Sequence, residues 1–248
     1  GIAGAALASS LFEATSLLIV AIYAWVKVDR REFGLKPLYD KRLLAELLRL
    51  SLWSMLHAFI SVAPWFLFFV AIERLGEAQL AVSNIIRSVS TVFFVIVNSF
   101  AATTGALVSN LIGAGERRLL FPLCRKIVKL GYAIGFPLIV LAACFHRQIA
   151  GLYTDSTRLI EMSAVPFIVM LFNYVFALPG YVYINAVTGT GKTRTAFLFQ
   201  LTTIAVYLAY LYLLSRYAGV PLAVYLMAEY LFVILLAIQS VLYLRESS

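Results

Sequence analysis

From Asn84 to Glu116 the chain reads NIIRSVSTVFFVIVNSFAATTGALVSNLIGAGE, an apolar run with no charge between Arg87 and Glu116. It exceeds the ~20 residues a helix needs to cross the ~30 Å hydrocarbon core of a bilayer. Hydrocarbon offers no partner for a free N–H or C=O, so a run of this kind has to bond its backbone within itself, as a helix. Asn84, Arg87, Ser88, Thr91, Asn98, Gly105 and Ser109 recur along it at helical spacing. At about 100° per residue the seven fall within roughly 100° of one another. A narrow polar stripe on a membrane-length helix turns away from lipid, toward other helices or a water-filled cavity. From Leu80 to Leu111 the helix would be ~48 Å long if straight, so it must tilt, bend or project into water.

Other apolar stretches surround this one. The chain has 248 residues, 62% of them hydrophobic and 13% charged, about half the ~25% charge of a soluble domain. The expected fold is an all-α polytopic membrane protein with about seven transmembrane helices. A membrane β-barrel would need alternating segments of ~10 residues, which the sequence lacks. Span one covers about residues 4–26 and holds Glu13, with Ser9 and Ser16 on the same face. The connector KVDRREFGLKPLYDKRLLAELLRL is basic and too polar for lipid. The leucines between Tyr39 and Leu50 predict an interfacial amphipathic helix at its end. Span two runs from about Leu50 to Ala71, carries His57 and is interrupted by Pro64. The long stretch is span three. Spans four to seven follow at about Ile127–Phe145, Leu159–Val187, Phe197–Ser215 and Ala223–Tyr243.

A net charge of +8 would point to nucleic acid in a soluble chain. Here the basic residues gather in short loops, as membrane topology requires, and no nucleic-acid partner is expected. If the first connector faces the cytoplasm, fifteen of the twenty basic residues lie on that side and four on the other, with Arg87 inside the membrane. The bias places the start of the chain outside and its C-terminus in the cytoplasm. The expected location is a cell membrane, crossed several times, the bacterial inner membrane in particular. Cys124 and Cys144 offer neither metal spacing nor a disulfide framework. The chain begins at Gly1 beside a full apolar span, without the charged leader of a signal peptide. We read it as a fragment with further spans upstream.

Ionisable groups inside such spans are candidates for an ion or substrate pathway. A carboxylate there can bind a cation or carry a proton, which singles out Glu13 and Glu229. Arg87 needs a partner, water or a headgroup, since burying it alone costs at least ~2.5–3.5 kcal/mol. Glu229 or a nearby carbonyl would serve. His57 could relay protons near physiological pH, or simply pack by a hydrogen bond. Tyr174, Tyr181, Asn185 and Thr188 form a second polar stripe, on span five. Their aromatic faces suit flat cations, although Tyr and Asn also join neighbouring helices. The segment AVTGTGKT matches a phosphate-loop pattern, but it follows a membrane helix rather than a strand and reads as a turn. No catalytic constellation is visible, and enzyme activity is not expected.

The segments GIAGAALAS, AVSNIIRSVSTVFFVIVNSFAATTGALVSNLIGAGE and NAVTGTGKTR resemble the multidrug and toxic compound extrusion (MATE) family. The resemblance is to its C-terminal half, from the sixth of twelve helices onward, and spans essentially the whole chain. It implies three parts: residues 1–26 as the last helix of the N-terminal lobe, 27–49 as a cytoplasmic connector with an amphipathic helix, and 50–248 as a six-helix C-terminal lobe. It further implies alternating access and antiport of organic cations, drugs and toxic compounds against Na⁺ or H⁺, with no other cofactor. The implied partners are the bilayer, small and mostly cationic organic substrates, and the missing N-terminal lobe. Asn84 and Asn98 then join Arg87 as cavity candidates on the eighth helix. One branch of the family carries a glutamate in the seventh helix, whereas no acid occurs here between Leu48 and Ile72. Two alternatives stay open. A lipid-linked saccharide flippase of the same superfamily would need a strongly cationic cavity, and a seven-helix receptor would also fit the number of spans.

Overall fold

The structure is a computed structural model, and it describes residues 2–27, 40–217 and 219–246. Most of the expected connector, residues 28–39, therefore lies outside the described residues. Two compact units divide the chain, Gly1–Glu46 and Leu47–Ser248. The first holds α1 (Ile2–Lys27) and the beginning of α2 (Lys41–Glu73). The described side chains of α1 are almost all exposed, among them Leu11, Phe12, Leu17 and Trp25. Such a face is stable only against lipid or protein. Asp40 caps α2: its Oδ1 accepts hydrogen bonds from the backbone N–H groups of Arg42 at 2.8 Å and Leu43 at 3.2 Å. Those are two of the donors that every helix start leaves open. From there α2 runs unbroken through Pro64 to Glu73, so the surface helix and span two are one element.

The second unit contains α3 (Glu77–Gly113), α4 (Leu120–Cys144), the short α5 (His146–Gly151), α6 (Thr157–Gly189), α7 (Thr193–Ser215) and α8 (Leu222–Glu246). Six helices among the described residues are long and apolar enough to cross a membrane: α1, α3, α4, α6, α7 and α8. Within α2 the charged residues Lys41, Arg42, Glu46 and Arg49 are confined to the start of the helix, and Pro64–Glu73 is apolar. At 37 residues, α3 is roughly 56 Å long, nearly twice a hydrocarbon core.

α6 is the hub of this unit, packed on α3, α4, α5, α7 and α8. Hydrophobic burial cannot drive helix pairing inside lipid, so close packing and hydrogen bonds must. A Cβ at Gly180 would come 2.8 Å from the carbonyl oxygen of Val233, which brings α6 and α8 together backbone to backbone. Between α4 and α6, Tyr132 donates to the carbonyl of Val175 at 2.5 Å and Tyr174 to that of Gly131 at 2.9 Å. Two turns reverse the chain on glycines in the left-handed region, Gly115 at φ 79° and Gly191 at φ 81°. The second lies in the phosphate-loop-like text, which is the turn from α6 to α7. No strand occurs among the described residues.

Candidate functional site

A cavity of about 800 Å³ opens between α2, α3, α6 and α7. Val62 and Trp65 line it from α2 and Gln200 from α7. From α3 come Arg87, Ser90, Thr91, Phe93, Phe94 and Asn98, and from α6 Asn173, Tyr174, Tyr181 and Asn185. Aromatic rings supply much of the surface. Phe94 meets Tyr181 edge to face at 5.2 Å, and Phe93 meets Tyr174 at 6.5 Å. Edge-to-face pairs of this kind hold both rings in place.

Several polar groups on the wall are already occupied. The hydroxyls of Ser90 and Thr91 donate to the carbonyl of Arg87, at 3.0 and 2.8 Å. The Nδ2 of Asn185 donates to the carbonyl of Tyr181 at 2.9 Å. Bonds back onto the helix satisfy a hydroxyl or amide without a second helix. Two groups differ. The guanidinium of Arg87 lies 5.0 Å from the ring centre of Phe69 and makes no ion pair among the described residues, whose one pair joins Arg147 and Glu161. The expected pairing of Arg87 with Glu229 is not seen; Arg87 rests on an aromatic face instead. The Oδ1 of Asn173, a residue 7% exposed, has no hydrogen-bond partner.

The long stripe of α3 divides by position. Arg87, Thr91 and Asn98 face the cavity. Gly105 and Ser109 form a seam with α6 instead. The Ser109 hydroxyl contacts the carbonyl of Gly189 at 2.9 Å, and a Cβ on Gly189 would stand 2.6 Å from the carbonyl oxygen of Gly105. Asn84 is exposed and outside the lining; its carbonyl accepts from Ser88.

Glu229 is 7% exposed on α8 and is not part of the cavity wall. Its Oε1 accepts a hydrogen bond from Tyr207 of α7 at 3.1 Å, and the same hydroxyl lies 3.4 Å from the carbonyl of Pro64. A carboxyl group, a phenol and the proline-bearing stretch of α2 therefore meet at one buried point. Glu13 belongs to the first unit and is exposed. His57 lies in α2, with its side chain outside the described residues. Sequence reasoning missed Asn173 and Gln200. The signal was available: an amide inside a membrane-length apolar helix needs a partner.

Membrane-length helices gathered around a largely apolar cavity with a few placed polar groups have the architecture of a membrane transport lobe. The family model MatE matches residues 54–213, and the chain belongs to that family. The fold agrees with solved structures. One is a MATE family transporter of the MOP superfamily in its outward-facing conformation, at 20% identity and TM-score 0.84, covering 100% of this chain and 56% of that one. A MATE structure in complex with MaL6 matches at 21% identity and TM-score 0.82, covering 98% of this chain and 56% of that one. A MOP superfamily transporter from Pyrococcus furiosus, described as having a binding pocket of reverse polarity, matches at 20% and 0.83, with 98% and 56% covered. The chain thus spans little more than half the length of the structures it matches. No curated protein matches it.

Proposed function

We propose that this chain forms the C-terminal part of an ion-coupled antiporter that moves aromatic drugs and toxic compounds across a cell membrane by alternating access. The observation that carries this reading is the cavity, about 800 Å³ and rich in aromatic faces, set among helices long enough to span a bilayer. A drug-sized ligand site has a volume of about 300–1,000 Å³, an apolar lining and a few placed polar groups. Phe93, Phe94 and Tyr181 offer ring surface to flat compounds, organic cations among them. Structures of the same fold exist as outward-facing and as inward-facing forms, the latter at TM-score 0.73 and 20% identity. That supports a rocking motion around the cavity.

Coupling to Na⁺ or H⁺ needs a carboxyl group that binds the ion in one state more tightly than in the other. Glu229, buried and accepting from Tyr207, is the candidate in the second unit, and Glu13 the candidate in the first. One observation favours the flippase alternative, namely Arg87 on the cavity wall. A pyrophosphate carries more charge than one guanidinium offsets, so antiport of smaller compounds is the better fit.

The test uses the full-length transporter in proteoliposomes. Norfloxacin and ethidium are followed under imposed Na⁺ and pH gradients. Movement of either compound that stops when both gradients are collapsed is the expected result. Movement that ignores both gradients removes ion coupling.

A further inference from the structure

The polarity of the cavity wall narrows the substrate. Among the described residues no carboxylate lines the cavity, whereas Arg87 does. Hydrogen bonds within their own helix or to α4 already occupy the hydroxyls of Ser90, Thr91 and Tyr174 and the Nδ2 of Asn185. Arg87 remains. Its guanidinium touches the ring of Phe69, which accepts none of its five N–H donors in a fork. Arg87 is exposed on the cavity wall, where a carboxylate could take it through two parallel charge-assisted bonds that an aromatic face does not offer. The Oδ1 of Asn173 is a second, independent vacancy, a buried acceptor on the same wall that lacks a donor. Buried acceptors without donors are rare enough to call for a ligand or water.

We infer that this cavity binds aromatic acids: Arg87 holds a single carboxylate or sulfonate, Asn173 accepts from an N–H or O–H of the same molecule, and Phe93, Phe94 and Tyr181 hold its ring. The inference rests on the transporter reading and shifts its substrate class from organic cations toward singly charged anions and zwitterions. One guanidinium matches one acidic group. Ammonium compounds meet the like charge of Arg87 and find no acid on this wall to offset it.

Equilibrium binding to the full-length transporter, with no ion gradient present, separates this from the question of coupled transport. The probes are tritiated 2-naphthylacetate, its neutral amide and 2-naphthylethylammonium, three heads on one ring system. Binding is measured in phosphatidylcholine nanodiscs, with uptake by empty discs subtracted. The acid should bind about tenfold more tightly than the ammonium compound, one charge-assisted contact apart. Arg87→Gln should erase that preference. Arg87→Lys, which keeps the charge and loses the fork, should retain part of it. A wild-type preference for the ammonium compound overturns the inference, and so does an unchanged order of affinities in Arg87→Gln. The wild-type order needs no variant, so a misfolded mutant does not blunt the test. Repeating the series in discs containing phosphatidylglycerol distinguishes a dissolved acid from a lipid headgroup. Equal affinity for the acid in both discs supports the inference. Loss of the acid in the anionic discs assigns Arg87 to a lipid phosphate and overturns it.

Discussion

Glu229 shows how much one side chain can carry in this fold. Its carboxyl group is buried between α7 and α8, and its recorded partner is the hydroxyl of Tyr207. Removing one member of a buried hydrogen-bonded pair strands the other, at a cost of about 1–3 kcal/mol. Tyr207→Phe should therefore lower the thermal stability of the full-length protein by about that amount, read from its unfolding transition in detergent. Glu229→Gln keeps both the shape and an oxygen that accepts from Tyr207, so stability should stay within about 1 kcal/mol. If Glu229 binds the coupling ion, the same variant should slow gradient-driven uptake at least about tenfold. Unchanged uptake would reduce Glu229 to packing. The sequence made six cavity residues legible, Arg87, Thr91, Asn98, Tyr174, Tyr181 and Asn185, because each helix carries them on one narrow stripe. Asn173 sits about 100° away from the stripe of Tyr174, Tyr181 and Asn185, and Gln200 lies on a helix whose Thr and Tyr residues mask any stripe. Neither could be found by looking for one polar face per helix.

The helix α3 carries two functions in succession. Its first half borders the cavity and its second half is joined to α6 by small residues. Periodicity alone could not divide the stripe, since glycine and serine hold the same angle whether they face water or a neighbouring backbone. Space around the glycines settles the matter. A Cβ on Gly189 meets the carbonyl oxygen of Gly105 at 2.6 Å and the Cβ of Val108 at 3.1 Å, whereas a Cβ on Gly113 meets nothing within 4 Å. Gly189→Ala should force the helices apart and destabilise the lobe by about 1–3 kcal/mol, as overpacking does elsewhere. Gly113→Ala is the matched control and should be neutral or slightly stabilising, given the helix propensity of alanine. Thermal unfolding of the two variants side by side checks the seam. Equal effects would mean that the α3–α6 contact yields without cost.

For the whole molecule, the open question is which way the helices run through the bilayer. The order of helices was legible from the apolar runs, and the charged residues between them bear on orientation. Arg117 and Arg118 lie exposed between α3 and α4, Lys192 lies exposed between α6 and α7, and Arg245 lies exposed in the last turn of α8. Eight of the eleven basic residues from Arg117 to Arg245 fall on the side those positions share once α4, α6, α7 and α8 each cross the membrane. Basic residues in short loops resist translocation, so that side should be the cytoplasm. Cysteine labelling tests the assignment. Of the native thiols Cys124 is buried and Cys144 exposed, so both are first replaced by serine in the full-length protein. Single cysteines at Glu116 and Lys192 should then resist a membrane-impermeant maleimide added to intact cells and react after permeabilisation. Single cysteines at Asp155 and Arg216 should react in intact cells. The four positions alternate along the chain, so a reversed molecule would invert all four results together. A helix that fails to cross would invert only the positions beyond it, so the experiment also tests separately whether α4, α6 and α7 each cross.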